Sequence, residues 1–151
     1  MKKVFIIVIL ALVLTGCGNN SKLAKTCTKS VEDASGLYTL DSKYEVYGSN
    51  VVDKIVITET VISDDIDVLK NFEQKYKTLY EDFNKKYGGY TNKVTLEEGR
   101  LISETICDYT KMNLKLYAED NSSLSKYLTK DNKVDLSGRV TLYEETGSVC
   151  K

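Results

Sequence analysis

The stretch from Ser63 to Gly89, SDDIDVLKNFEQKYKTLYEDFNKKYGG, repeats apolar and aromatic residues at intervals of three and four positions. This spacing predicts an amphipathic α-helix with one apolar face. Ser63 is the expected N-cap, Asp64 and Asp65 fall in the first turn, where acids favour the helix dipole, and Gly88-Gly89 is expected to end the helix. A helix of this length with a single apolar face needs a sheet to pack on.

The apolar face of the predicted helix is rich in aromatic residues. It consists of Ile66, Leu69, Phe72, Tyr76, Leu79, Tyr80, Phe83 and Tyr87. We expect Leu79 and Phe83 to be buried against the sheet, whereas Lys77 lies on the outer face, four residues after Glu73. Such a stripe is typical of a protein core rather than of a cofactor site.

Two strands are predicted before the helix. Lys43 to Tyr47 alternates polar and apolar residues, Gly48-Ser49-Asn50 is a turn pattern, and Val51 to Ile62 is dense in Val, Ile and Thr. Because the second strand carries apolar residues on both faces, we expect it to be central in an antiparallel sheet.

A hairpin is predicted after the helix. Residues 90–96 alternate, 97–100 form a turn, and 101–108 return as the second strand. Residues 121–128 favour a short helix. Residues 136–146 allow either strand or helix, and we favour a helix capped by Asp135, although Gly138 costs about 1 kcal/mol there.

These elements predict an α+β fold. It comprises an antiparallel sheet, one long amphipathic helix packed on it and shorter C-terminal helices.

The N-terminal segment has the pattern of an export signal. Lys2-Lys3 precedes an apolar run from Val4 to Leu14, which is too short to span a membrane, and Leu14-Thr15-Gly16-Cys17 follows. This box resembles the lipobox of bacterial lipoproteins. The resemblance implies cleavage before Cys17 and attachment of a diacylglyceryl group and often a further acyl chain, such as palmitate. An ordinary secretory signal cleaved elsewhere is the alternative.

The predicted organisation is a signal peptide over residues 1–16, a flexible tether over 17–25 and one α+β domain over 26–151. The protein is then held on the extracytoplasmic face of the cell membrane by its lipid. The strong preference for Lys over Arg, with no Pro, His or Trp, favours a low-GC Gram-positive source.

Three cysteines remain after Cys17. Cys27 and Cys150 lie near the two ends of the predicted domain in polar surroundings, whereas Cys107 lies in a predicted strand. We therefore pair Cys27 with Cys150 and expect Cys107 to be a buried thiol. The alternative is that all three are reduced.

The composition argues against several classes of function. Without the signal peptide the chain has 19 basic and 22 acidic residues, a net charge of −3, which gives no electrostatic reason to bind nucleic acid. The lack of histidine removes the usual acid, base or zinc ligand near neutral pH. The acidic run Asp64–Asp67 lacks the spacing of a calcium loop, so no metal, cofactor or catalytic residue is predicted.

Eleven tyrosines are the one unusual feature that suggests recognition. Tyr38, Tyr47, Tyr90 and Tyr117 are candidates for an exposed aromatic patch. In the competing interpretation, the helix tyrosines belong to the core, and their hydroxyls reach solvent at its edge.

Several longer stretches resemble the YehR-like family of small bacterial lipoproteins, whose function is uncharacterised. They are Tyr87–Thr91 with Lys93–Thr95, Asp108–Leu114, and Leu142–Gly147 followed by Cys150, together with the lipobox. The resemblance implies an α+β domain with an antiparallel sheet and a C-terminal end where Cys150 returns to Cys27. It supplies no catalytic residues.

We therefore expect a non-enzymatic, lipid-anchored module that binds an envelope protein or a cell-wall component. The alternatives are a hydrolase that uses a pair of carboxylates and a purely structural lipoprotein.

Overall fold

A computed structural model describes residues 21–151, which form a six-stranded antiparallel sheet with helices on one face. The elements are β1 (Leu23–Glu32), β2 (Thr39–Gly48), β3 (Val52–Ile62), α1 (Ile66–Tyr87), β4 (Tyr90–Glu97), β5 (Arg100–Asp108), α2 (Leu114–Asp120), α3 (Ser122–Ser125), α4 (Leu136–Glu145) and β6 (Val149–Cys150). The strand order is β4-β5-β3-β2-β1-β6. The predicted α+β class is confirmed, and the predicted lipobox with Cys17 lies outside the described residues.

Strand β3 lies in the middle of the sheet, as its apolar character predicts. It pairs with β2 on one side and β5 on the other, and its Ile55 and Val61 are fully buried. Because side chains alternate between the faces of a strand, the register puts Val46 and Leu101 on the same covered face. On the opposite face of the sheet, most side chains of β1 and β2 are Thr, Ser or charged residues.

Helix α1 packs on the β4–β5 half of the sheet through residues of the predicted apolar face, but the two that we expected to be buried are not the most buried ones. Leu79 and Phe83 are only partly buried, whereas Leu69 is 1% exposed and Tyr76 is 5% exposed. The apolar stripe is wider than the line of closest contact, and the tyrosines, together with Leu69, occupy that line. The expectation of buried Leu79 and Phe83 side chains is therefore wrong.

The helix also begins later than predicted. Asp65 is the N-cap, and its carboxylate accepts a hydrogen bond from the Asp67 amide at 2.8 Å. The Ser63 hydroxyl instead donates to the Leu37 carbonyl at 2.7 Å and accepts from the Asp65 amide. Ser63 thus fixes the turn before the helix.

The folded part of the chain starts before residue 26. Strand β1 begins at Leu23, and the Lys22 carbonyl accepts a hydrogen bond from the Gly48 amide at 3.0 Å. Residues 22–25 of the predicted tether therefore belong to the sheet or contact it. Helix α2 was not predicted, and the helix expected over 121–128 is reduced to α3.

Residues 136–145 form the helix that we favoured over a strand. The Asp135 side chain caps it by accepting a hydrogen bond from the Gly138 amide at 2.7 Å. A Cβ at Gly138 would lie 2.3 Å from a ring carbon of Tyr127. Glycine is needed there because the Tyr127 ring packs directly on the helix backbone.

A disulfide joins Cys27 in β1 to Cys150 in β6, which confirms the predicted pairing. Reciprocal backbone hydrogen bonds between Thr26 and Lys151, at 3.0 and 2.9 Å, continue the pairing beyond it. Cys107 is a buried free thiol, and burial raises its pKa to about 12. Within residues 21–151, no helix has the length and apolar character needed to cross a membrane.

Candidate functional site

The four tyrosines predicted as an exposed patch do not lie together. Tyr90 is buried at 8% exposure, so its assignment to the patch is wrong. Tyr38 packs edge-on against Phe72, and Tyr47 lies on the uncovered face of the sheet beside Lys54. Tyr117 meets Tyr90 on the helix-covered side.

The tyrosines of α1 belong to the core, but their hydroxyls do not all reach solvent. The Tyr80 hydroxyl donates a hydrogen bond to the Glu59 carboxylate at 3.1 Å beneath the helix. On the same face, the Asn92 amide donates to the hydroxyls of the fully buried Ser103 and Thr105 at 2.9 and 2.8 Å. A row of polar groups therefore runs through the interface between α1 and the sheet.

Glu59 is the acid within this polar row. Burial raises its pKa above the ordinary value, and hydrogen bonds from Tyr80 and Tyr76 and the charge of Lys75 oppose that rise. None of these neighbours is a carboxylate. Residues 21–151 also contain no cluster of three or more Cys, Asp or Glu side chains that could hold a metal ion.

A cavity of about 340 Å³ lies between β2 and the C-terminal helices. Its floor is formed by Arg139 and Tyr143 of α4, with Tyr44 of β2 beside them, and Tyr117 of α2 lines another wall. The remaining lining side chains include polar residues: Asn121, Ser123, Glu145 and Thr146. Four separate elements build this cavity.

Aromatic stacking holds the Arg139 guanidinium in the cavity. Its central carbon lies 4.5 Å from the centroid of the Tyr143 ring, a cation–π geometry. The Tyr143 ring in turn stacks on the Tyr44 ring, with 4.2 Å between the ring centroids. One terminal nitrogen of Arg139 donates to the Tyr143 hydroxyl at 3.0 Å, and the buried Nε has no hydrogen-bond partner.

Arg139 lacks the acidic partner that a desolvated arginine normally has. Among residues 21–151, no carboxylate lies within 4.0 Å of its guanidinium, and residues 1–20 contain neither Asp nor Glu. The only other arginine, Arg100, forms an ion pair with Glu97 at 2.6 Å on the surface. Since even partial burial of an unpaired charge is costly, the partly buried Arg139 guanidinium favours an anion as its partner.

The surrounding tyrosines are neutral donors at physiological pH. Burial raises the pKa of Tyr143 to about 12, although the positive charge of Arg139 opposes the rise. Burial also raises the pKa of Tyr109 well above its ordinary value, again against Arg139. These tyrosines therefore do not neutralise the guanidinium, and the cavity keeps its positive charge.

A second, open groove of about 540 Å³ lies mainly on the uncovered face of the sheet. Threonine and charged side chains line it, among them Thr28, Asp41, Lys43 and Thr58. Every one of these groups is ordinary for a solvated strand face. The Arg139 cavity is the better candidate because it contains a charge that the protein does not satisfy.

Comparisons with known proteins give little further information. No family model matches the chain, and no curated protein matches it. A protein from Streptococcus pneumoniae TIGR4, solved by NMR, is similar over 100% of this chain and 98% of its own, with 14% identity and a TM-score of 0.47. That likeness is too weak to carry an argument, and the resemblance to YehR-like lipoproteins remains a prediction from the sequence.

Proposed function

We propose that this protein is a lipid-anchored, extracytoplasmic module that binds a component of the cell envelope without catalysing a reaction. The observation that carries the binding role is Arg139, a partly buried cation that has no acidic partner within residues 21–151 and lines a cavity of about 340 Å³. Such a volume falls at the lower end of the range for small-molecule sites. The lipobox resemblance supports the anchor, and the Cys27–Cys150 disulfide is compatible with an extracytoplasmic location.

The anchor is tested by the intact mass of protein extracted from membranes. We expect loss of residues 1–16 and gain of acyl mass on Cys17, and the Cys17→Ala variant should be released or remain unprocessed. Unprocessed, soluble protein in wild-type cells would contradict the anchor.

Binding is tested by native mass spectrometry of the full chain after incubation with an envelope extract and transfer into a volatile buffer. We expect a bound small component whose mass is lost in Arg139→Met and retained in Arg100→Met. Arg100 is the matched control because it is the second arginine and already has an acidic partner. If no component is retained, a purely structural role is favoured. If Arg139→Met retains the component fully, the Arg139 cavity is not its binding site.

A further inference from the structure

We infer that the Arg139 cavity binds a short zwitterion with a free carboxylate at one end and an amino group at the other, the size of a dipeptide. This inference rests on the proposed function and specifies its ligand.

The cation favours a planar carboxylate. The guanidinium is oriented by the Tyr143 ring, and within residues 21–151 only one of its two terminal nitrogens is hydrogen-bonded, which leaves the remaining terminal N–H groups for a ligand. A guanidinium presents parallel N–H groups that match the two oxygens of a carboxylate.

The charges of the cavity disfavour a dianion. Arg139 is the only cation among the lining residues, and Glu145 lines the same cavity from the exposed end of α4. A phosphate dianion would thus meet one positive and one negative charge. A ligand with one carboxylate and one ammonium group would instead be complementary to both.

The separation of the two residues sets the length of the ligand. Arg139 and Glu145 are six positions apart on α4, which corresponds to about 9 Å along a helix axis and about 120° around it, and both line the cavity. Two extended residues span about 7 Å, so a dipeptide is of the same order of length as this separation. Asn121 and Ser123 line the cavity as well and offer hydrogen-bonding groups for a peptide bond.

The two arginines of the chain permit a direct test by NMR. Full-length protein labelled with ¹⁵N-arginine has two Nε signals, and that of Arg100 serves as an internal reference. The probes are glycylglycine, its amide, its N-acetyl derivative and inorganic phosphate. We expect glycylglycine to shift the Arg139 signal in a saturable manner, and the amide, which has no carboxylate, to leave it unchanged.

The amino group is tested with the N-acetyl probe and a variant. N-acetylation of glycylglycine and the Glu145→Gln substitution should each weaken binding about tenfold, and the two together should weaken it no further than either alone. Glu144→Gln is the matched control, since Glu144 is an exposed neighbour outside the cavity lining.

Three outcomes would overturn the inference. They are tighter binding of phosphate than of glycylglycine, equal binding of the amide and the free peptide, and no shift of the Arg139 signal with any probe. In each case the proposed function stands if native mass spectrometry still shows a component whose retention requires Arg139. If that component is also absent, both proposals fail.

Discussion

At the scale of single residues, the unpaired charge of Arg139 lowers the stability of the fold and leaves the guanidinium available to bind an anion. Replacing a buried ion pair by apolar side chains of similar volume is often neutral or stabilising by about 1–4 kcal/mol, and an unpaired charge carries its desolvation cost without the attraction of a partner. We expect Arg139→Met to raise the free energy of unfolding of the ligand-free protein by about 1 kcal/mol. Urea unfolding in a buffer without small carboxylates measures it.

The matched variant for this prediction is Arg100→Met. Arg100 pairs with Glu97 on the surface, so its replacement should change the unfolding free energy by less than about 0.5 kcal/mol. A clear loss of stability in Arg139→Met would show that Arg139 serves the fold through its stacking on Tyr143.

Glu59 makes stability depend on pH. Burial raises its pKa in the folded protein, so the folded state holds its proton more tightly than the unfolded chain does. The contribution of Glu59 to stability is therefore present at low pH and lost as the pH rises through the folded-state pKa. Glu59→Gln, which is always neutral, should match the wild type near pH 4 and be more stable at pH 7.

This prediction is checked by urea unfolding of both proteins at several pH values. Glu104→Gln is the control, because Glu104 is exposed on the opposite face of the same sheet. If the difference between Glu59→Gln and the wild type is independent of pH, the carboxylate of Glu59 is solvated in the folded state.

At the scale of elements, helix α1 offers two leucines for the same substitution. Leu69 is 1% exposed, whereas Leu79 is partly exposed and lies outside the core cluster. We expect Leu69→Ala to lower the free energy of unfolding by roughly 2–5 kcal/mol and Leu79→Ala by about 1 kcal/mol. Denaturant unfolding of the two variants measures the difference, and equal costs would mean that the helix packs through another face.

Periodicity predicted the elements that have one covered face and enough length. Helix α1 and the hairpin of β4 and β5 carry such a pattern, whereas the central β3 was predicted from its density of Val, Ile and Thr on both faces. Strand β1 escaped prediction because Cys27 is its one fully buried residue, and its neighbours are polar. Helix α2 escaped because its seven residues are too few to establish a period. Which residues of α1 lie closest to the sheet depends on the side chains of the sheet. The sequence of the helix alone does not contain that information.

The Arg139 cavity lay beyond sequence analysis for a different reason. Its side chains come from β2, α2 and α4 and the segments around them, which are distant in the sequence. The one available clue was that the chain has only two arginines. That clue identifies a residue worth locating, but the absence of an acidic partner becomes visible only in three dimensions.

At the scale of the whole molecule, the Cys27–Cys150 disulfide closes the sheet across a sequence separation of 123 residues. The chain-entropy model gives about 4.7 kcal/mol for a loop of roughly 100 residues, and loss of a native disulfide typically costs about 2–5 kcal/mol. We expect the double variant Cys27→Ser, Cys150→Ser to lose a free energy of unfolding in that range, measured by urea unfolding under non-reducing conditions.

A thiol reductant provides the control for this prediction. It should destabilise the wild type to the level of the double variant and leave the double variant unchanged, because Cys107 is already a free thiol. Non-reducing peptide mapping should recover Cys27 linked to Cys150. A bridge that includes Cys107 would contradict the pairing.

The same disulfide determines how mechanical load crosses the domain. For a chain held at residue 21 and pulled through a ligand in the Arg139 cavity, tension enters along β1 and reaches Cys27. The covalent bridge passes it to Cys150, and β6 carries it through the turn after α4 to the helix that holds the arginine. Strands β2 to β5 and helix α1 are bypassed. Covalent bonds therefore carry the force from the point of attachment to α4, and no hydrogen-bonded strand has to resist it by itself.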